Sequence, residues 1–327
     1  MSILLSVKHD QFKVDGVFRI SRGARTESHV VTATVKCGDH HGWGECVPYP
    51  RYGESVESVM DEIMAVAPDL KNGAGRQEIQ TLMSAGAARN AVDCALWDLE
   101  AKETNKRVWQ LLNLPAPEAI TTAYTISLDD VAVMRQKALD NAHRPLLKLK
   151  LAGPEDLARV KAVREGAPMA RLIVDANEGW SEKDYTNIMD QLVPLNVEAI
   201  EQPMPAGDDE ALRQLPRPIP LIADESCHAR DSLKDIIGKY DMINIKLDKT
   251  GGLTEALLLK EAAEGAGLDI MVGCMVGSSL AMAPAMVVAH DAQIADLDGP
   301  LLLAEDRDHP LDFNVSSMSL PNKGLWG

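Results

Sequence analysis

Residues 220–247 read PLIADESCHARDSLKDIIGKYDMINIKL. An apolar run of strand length (PLIADE, 220–225) ends on carboxylates, a polar segment follows, and a second apolar run (MINIKL, 242–247) ends at a lysine. Two such runs on either side of a helix-length connection imply parallel strands joined by a crossover. The same unit recurs on both sides. The runs are TTAYTISL (121–128), LLKLKL (146–151), RLIVDAN (171–177), VEAIEQ (197–202), PLIADE, MINIKL, DIMVGC (269–274) and QIADLD (293–298). They are roughly 21 to 28 residues apart, which suits a strand, a loop and a helix of about three turns. Eight such units in about 180 residues favour a closed barrel over an open doubly wound sheet. The expected fold class is therefore α/β, with a (β/α)8 TIM-type barrel over residues 119–300.

Residues 1–118 have a different texture. HVVTATVK (29–36) alternates as a half-buried strand does, and FKVDGVFRI (12–20) contains a turn signal at Asp15-Gly16. An antiparallel sheet of two or three strands is expected, then a loop of turn formers (WGECVPYPRYGES, 43–55), then two helical stretches. In the second stretch Ala88, Val92, Ala95 and Leu99 share one helical face and read as core packing. This opening is expected to be an α+β capping domain. Residues 301–327 lack the barrel period and are expected to return to it.

Composition bounds the rest. The chain has 327 residues, 46% hydrophobic and 25% charged, which is ordinary globular usage. With 33 basic and 49 acidic side chains its formal charge is −16, which argues against nucleic-acid binding. Cys37, Cys46, Cys94, Cys227 and Cys274 are odd in number and contain no C-x-x-C pair, so neither a disulfide framework nor a zinc site is expected. The opening MSILLSVKHDQFKV lacks the features of a secretory signal. The most apolar run, AMAPAMVVAH (281–290), is too short for a membrane span. A cytoplasmic protein with no membrane partner is expected, and the sequence admits a homo-oligomer without requiring one.

The chemistry lies where the strands end. In a β/α barrel, active-site groups stand at the C-terminal ends of the strands. Here those ends carry Lys148 and Lys150, Asp175 and Asn177, Glu201 and Gln202, Asp224 and Glu225, Lys246 and Lys249, and Asp296 and Asp298. Charges inside buried parallel strands are costly unless paired or metal-bound. Asp175, Glu201 and Asp224 come from three consecutive strands and would repel unless a hard divalent cation held them. Oxygen-only ligands point to Mg²⁺ rather than zinc. Lys150 precedes this trio in the ring and Lys246 follows it, so they flank whatever the metal binds. A carboxylate bound to the metal would have its α-carbon between two amines. The metal stabilises the ene-diolate, a lysine whose pKa is depressed takes the proton, and the other lysine returns one to the opposite face. The product is inverted at that carbon. The metal and the Lys148 charge are expected to depress Lys150.

With these residues the sequence resembles the enolase superfamily, specifically its muconate-lactonizing subgroup. The K-x-K of Lys148 and Lys150, the three carboxylates and the N-I-K ending in Lys246 match that subgroup in order and spacing. GECVPYPRYGES (44–55), GAARNAVDCALWDL (86–99), ADESCHAR (223–230), INIKLDKTGGLTEAL (243–257) and ADLDGP (295–300) resemble the dipeptide epimerases, especially the bacterial L-Ala-D/L-Glu epimerases. The resemblance covers nearly the whole chain. It implies that Lys150 and Lys246 are the acid/base pair and that Asp175, Glu201 and Asp224 are magnesium ligands. Lys148 would assist electrostatically and contact the substrate carboxylate. Asp296 and Asp298 would hold the free ammonium of a dipeptide. An acidic second residue needs a cation, and Arg22, Arg25 and Arg51 lie in loops expected to cover the barrel mouth. Tyr52 and Glu54 are further loop candidates.

The expected activity is Mg²⁺-dependent epimerisation at the α-carbon of a dipeptide's C-terminal residue, of the L-Ala-L-Glu to L-Ala-D-Glu type. Alternatives with the same lysines and metal are cycloisomerisation, o-succinylbenzoate synthesis and N-acylamino acid racemisation. Schiff-base lyase chemistry and a non-catalytic binding protein are more distant readings. His228 beside Cys227, and Gly251-Gly252, are expected to be structural.

Overall fold

The computed structural model describes residues 2–153 and 155–327. Three antiparallel strands open the chain: β1 (Leu4–Ile20), β2 (Gly23–Cys37) and β3 (His40–Cys46), in that spatial order. Asp15-Gly16 does not reverse the chain, contrary to the sequence expectation. Instead the pairing of β1 with β2 shifts register between Lys13 and Phe18, with Gly16 at φ +80°, and continues until Ile20 pairs with Gly23. The residues after Gly16 have an apolar reason to stay in the strand. Phe18 packs with Val14, Val276, Leu302 and Leu303 at the barrel mouth. The Asp-Gly pair is thus absorbed as an irregularity, and the hairpin tip is carried over the barrel.

Five helices follow rather than two: α1 (Val56–Ala65), α2 (Ala67–Lys71), α3 (Arg76–Leu82), α4 (Ala87–Thr104) and α5 (Val108–Leu111). Ser55 caps α1 by accepting from Ser58 N, and Pro68 near the start of α2 marks the break that splits the first expected helix. On α4, Ala88, Val92, Ala95 and Leu99 pack against Val31, Ala33 and Val35 of β2, as their spacing predicts.

A short strand β4 (Ile120–Thr121) leads into the barrel. Its eight parallel strands are β5 (Tyr124–Ile126), β6 (Leu146–Lys150), β7 (Arg171–Asp175), β8 (Val197–Glu201), β9 (Leu221–Ala223), β10 (Met242–Ile245), β11 (Asp269–Gly273) and β12 (Ile294–Asp296), hydrogen-bonded in sequence order. A parallel bridge between Thr122 and Ala295 closes the ring. The crossovers carry α6 (Val131–Asp140), α7 (Asp156–Gly166), α8 (Glu182–Leu192), α9 (Leu233–Ile236), α10 (Leu247–Thr250), α11 (Leu253–Gly265) and α12 (Ser279–Ala289). Between β8 and β9 there is only a 3-10 turn over Glu210–Arg213. Pro203, Pro205, Pro216 and Pro218 confine any helix there to residues 206–215. Strand β13 (Phe313–Asn314) pairs antiparallel with β14 (Ser317–Met318), which in turn pairs antiparallel with β4. Beyond them, Leu325 O accepts from Trp43 Nε1, and Gly327 N donates to Asp98. No helix among the described residues is long and apolar enough to cross a membrane.

The barrel interior follows the two-residue period of its strands. Ala123, Leu146, Ile173, Ala199, Ile222, Met242, Met271 and Ile294 pack together as one apolar plug, one residue from each strand or its start. Two residues further along stand Thr125, Lys148, Asp175, Glu201, Asp224, Asn244, Gly273 and Asp296. The third inward step reaches Lys150, Asn177, Lys246 and Asp298. Apolar residues fill the bottom, so the polar ones are stacked at the C-terminal end.

Helix α4 docks the opening sheet unit onto the barrel through buried polar contacts. Asp93 accepts from Thr254 N (2.9 Å) and Thr254 Oγ1 (2.6 Å). Asp248 Oδ1 accepts from Val47 N (3.1 Å) and Asn90 Nδ2 (2.9 Å). Burial pushes the Asp248 carboxyl up to about 7 and Asp93 up to about 6, although these hydrogen bonds oppose the rise. A carboxyl raised in the fold stabilises it below the unfolded value near 4, and that contribution is lost as pH rises through the folded value. Asp248→Asn keeps an oxygen for both donors and removes the charge. It is expected to raise the melting temperature at pH 8 by a few degrees, with the gain shrinking towards pH 5. Thermal scans at both pH values check this; a gain independent of pH would contradict it.

Candidate active site

The ends of β6, β7, β8, β9 and β10 bring lysines and carboxylates into alternation. The register sets Lys150 beside Asp175, and Asp175 beside Glu201. Lys150 Nζ donates to Asp175 Oδ2 at 2.6 Å, and Lys246 Nζ to Asp224 Oδ2 at 2.7 Å. Lys148, wholly buried, lies 2.5 Å from Glu201 Oε2, 2.7 Å from Asp296 Oδ2 and 3.6 Å from Asp175 Oδ2. Lys249 Nζ holds Asp224 from the other side, through Oδ1 (2.6 Å) and the backbone carbonyl (2.6 Å).

The electrostatics follow from this alternation. Burial alone would lower the Lys148 pKa, but Asp296, Glu201 and Asp175 hold it well above the ordinary lysine value. Burial is likewise overcome at Lys246 by Asp224 and Glu201. Burial would raise Asp175, yet Lys150 and Lys148 bring it below the usual carboxylate range. Asp224 is held well below that range by Lys246 and Lys249 against its burial. Glu201 differs: burial and the neighbouring Asp175 push it up to about 7, and Lys148 only partly compensates. Its Oε1 accepts from Asn244 Nδ2 (2.8 Å), whereas Oε2 has the close ion pair but no hydrogen bond of good angle. Asn244 reaches it over Gly273, where a Cβ would fall 2.6 Å from Asn244 Oδ1.

Among the described residues, no three acidic, histidine or cysteine side chains converge as a ready-made metal cage. The ammonium groups stand between the carboxylates and supply the positive charge these require. The donor chemistry suits a hard divalent cation: carboxylate oxygens from three adjacent strands, with Glu201 Oε2 left without a hydrogen bond.

Lys150 and Lys246 line one cavity above this layer, with Asp224, Asn177 and Glu225. Its upper wall comes from the opening sheet unit: Phe18, Ile20, Arg22, Arg25, Tyr49 and Tyr52. The three loop arginines differ. Arg22 donates to Glu225 Oε1 (2.6 Å) and Glu178 Oε2 (3.1 Å). Arg51 grips Glu178 with Nε (3.1 Å) and Nη2 (3.0 Å). Arg25 has no carboxylate partner among the described residues and lies 5.9 Å from the centre of the Tyr49 ring. Tyr52 lines the cavity, its ring edge against His228 at 4.7 Å, whereas Glu54 turns away to accept from Tyr49 N and Ala87 N.

Asp296 and Asp298 are buried beside the cavity rather than on its surface. Asp296 Oδ2 binds Lys148 while its Oδ1 has no partner. Asp298 accepts from Thr125 N at 2.6 Å, and burial with the adjacent Asp296 pushes it up to about 7. His228 Nε2 meets Glu225 O at 3.1 Å.

Two groups escaped the strand-end pattern. Asn244 interrupts the apolar run MINIKL at an inward position, a signal that alternation could have exposed. Glu178, in the loop after β7, carried no such signal, because its arginine partners lie more than a hundred residues away.

Comparison with known proteins places this geometry. Residues 2–113 match the mandelate racemase/muconate lactonizing enzyme N-terminal domain, and residues 131–324 match the enolase C-terminal domain-like family. The chain is 45% identical to the L-Ala-D/L-Glu epimerase of Escherichia coli, over 93% of this chain and 95% of that protein. It is 44% identical to an N-acetyl-D-glutamate racemase of a Pseudoalteromonas species, over 91% and 95%. An enolase family member from Agrobacterium tumefaciens, described as having homology to dipeptide epimerases and solved with sodium and L-Ala-L-Glu, superposes with a TM-score of 0.98 at 52% identity, covering 99% and 100% of the two chains. A dipeptide epimerase from Enterococcus faecalis, solved with Mg and L-Leu-L-Tyr, superposes at 0.92 with 27% identity over the full length of both chains.

Proposed function

Because the chain belongs to the mandelate racemase/muconate lactonizing enzyme family of the enolase superfamily, we propose that this isomerase epimerises an acidic dipeptide of the L-Ala-Glu type by proton transfer between two lysines. One observation carries the reading: Lys150 and Lys246, on opposite sides of three carboxylate-bearing strands, line the same cavity. Asp175, Glu201 and Asp224 would hold Mg²⁺, as the relative from Enterococcus faecalis is solved with it. Bound there, the ion acts as a Lewis acid towards the substrate carboxylate and acidifies the neighbouring C–H. Lys150 and Lys246 serve the two faces of that carbon. Each is neutral when it takes a proton and an ammonium when it returns one, so the roles exchange with the epimer bound. Lys148, held charged by its carboxylates, stays an ammonium and neutralises the substrate carboxylate. Asp296 Oδ1, without a partner of its own, and Asp298 would receive the dipeptide's ammonium.

Arg25 is the loop arginine left to meet an acidic side chain, since Arg22 and Arg51 are engaged by Glu178 and Glu225. Arg25→Met is expected to lower kcat/KM for L-Ala-L-Glu by about 100-fold and for L-Ala-L-Leu by less than about threefold. Steady-state kinetics on the two dipeptides check this, and equal losses would remove Arg25 from the side-chain contact.

A second reading is favoured by the 44% identity to an N-acetyl-D-glutamate racemase. N-acetylglutamate has the same carboxylates and no ammonium. Parallel assays with L-Ala-L-Glu and N-acetyl-L-glutamate separate the two; a preference for the acylated substrate would replace the dipeptide assignment.

A further inference from the structure

We propose that Glu178 is a positioning residue: a clasp that holds both loops of the opening sheet unit shut over the cavity and opens to admit substrate. It follows Asn177 in the loop after β7, and the two residues adopt left-handed backbone at φ +45° and φ +66°. Two consecutive non-glycine residues in that region are costly, so the surrounding contacts must hold them there.

Those contacts span four segments. Glu178 Oε1 accepts from Ala206 N (2.8 Å) in the loop after β8 and faces Arg51 Nη2 at 3.0 Å. Its Oε2 accepts from Arg51 Nε (3.1 Å) and Arg22 Nη1 (3.1 Å). The preceding carbonyl, Asn177 O, accepts from Arg22 Nη1 (3.0 Å) and Ser21 Oγ (3.1 Å). The β1–β2 hairpin tip and the 49–54 loop therefore both reach the same two residues of the barrel, the tip being held in addition by Glu225 Oε1, which accepts from Arg22 Nη2 at 2.6 Å. Tyr49, Tyr52, Arg22 and Arg25, which roof the cavity, belong to those two loops.

The chemistry suits a reversible closure. The Glu178 side chain is only 9% exposed, while that of Arg51 is 41% exposed, so one partner is fixed and the other can swing into solvent. A fork of two parallel N–H···O contacts gives direction to the closed state. The exposed arginine keeps the contact weak enough to break on each turnover. Loop closure of this kind separates a reacting carbon from water.

The kinetic part of the test rests on the epimerase reading, whereas the clasp itself can be measured without substrate. Glu178→Gln keeps the size of the side chain and an oxygen for Ala206 N, and removes the charge. Hydrogen exchange of the substrate-free protein is expected to quicken about tenfold in residues 21–25 and 49–54 and not elsewhere. KM for L-Ala-L-Glu is expected to rise about tenfold, with a much smaller fall in kcat. Arg51→Met, a change at an exposed side chain, should open the 49–54 loop to the same extent and leave residues 21–25 unchanged, and the double variant should be no worse than Glu178→Gln alone. Unchanged exchange in the two loops of Glu178→Gln overturns the proposal. So do losses that multiply in the double variant. If no substrate is turned over at all, the epimerase reading fails while the exchange result still decides the clasp.

Discussion

Replacing Lys150 or Lys246 by alanine is expected to slow epimerisation of L-Ala-L-Glu by roughly 10³-fold or more, the size of a lost general acid or base. Each variant should retain half of the chemistry. With one lysine left, the α-proton of a single epimer can still be exchanged with solvent, and the two variants should exchange opposite epimers. Following the glutamyl α-proton by NMR in D₂O, from each epimer separately, shows the pattern. Both variants are expected to fold. Without Lys150, Asp175 keeps Lys148 at 3.6 Å and the Asn177 amide at 3.1 Å. Without Lys246, Asp224 keeps Lys249 at 2.6 Å. A variant that epimerises at a rate close to the unmodified protein would contradict the assignment of that lysine.

Replacing Asp296 by asparagine is the second large effect. Its Oδ2 pairs with Lys148 and its Oδ1 is unpartnered, so the residue has capacity for one further cation. Removing one partner of a buried charge contact costs about 2–5 kcal/mol. The kcat/KM for L-Ala-L-Glu should therefore fall by roughly 10²–10³-fold, since about 1.4 kcal/mol is tenfold. N-acetylglutamate carries no ammonium, and its turnover should fall by at most about tenfold, through the weakened hold on Lys148. Equal losses for both substrates would confine Asp296 to supporting Lys148.

The barrel was legible because its period is long and repeated. Eight apolar runs at similar spacing leave few alternatives, and each corresponds to a strand of the ring. Strand ends were legible for a related reason. The two-residue alternation sends Leu146, Lys148 and Lys150 inward from one strand, and the apolar plug below forces the polar members to the top. The irregular parts were less legible. Asp15-Gly16 has the composition of a hairpin turn, but the tertiary demand to bury Phe18 overrides local preference. The spacing predicts one more helical crossover between β8 and β9, yet the segment between the flanking prolines forms only a 3-10 turn. Among the loop arginines, composition could not separate Arg22 and Arg51, held by Glu178, from Arg25. That difference depends on Glu178 and Glu225, which only folding brings near. The pairing of lysine with carboxylate was hidden as well: sequence placed two repelling clusters in one ring, and the structure interleaves them as Lys148 with Glu201, Lys150 with Asp175 and Lys246 with Asp224.

The most direct measurement is of the unmodified protein with Mg²⁺ in D₂O, starting from pure L-Ala-L-Glu and, separately, from pure L-Ala-D-Glu. Two lysines on opposite faces of one carbon predict that each epimer loses its glutamyl α-proton signal and gives rise to the other, carrying deuterium at the inverted centre. Retention of the α-proton in both dipeptides, and in N-acetylglutamate under the same conditions, would contradict the account.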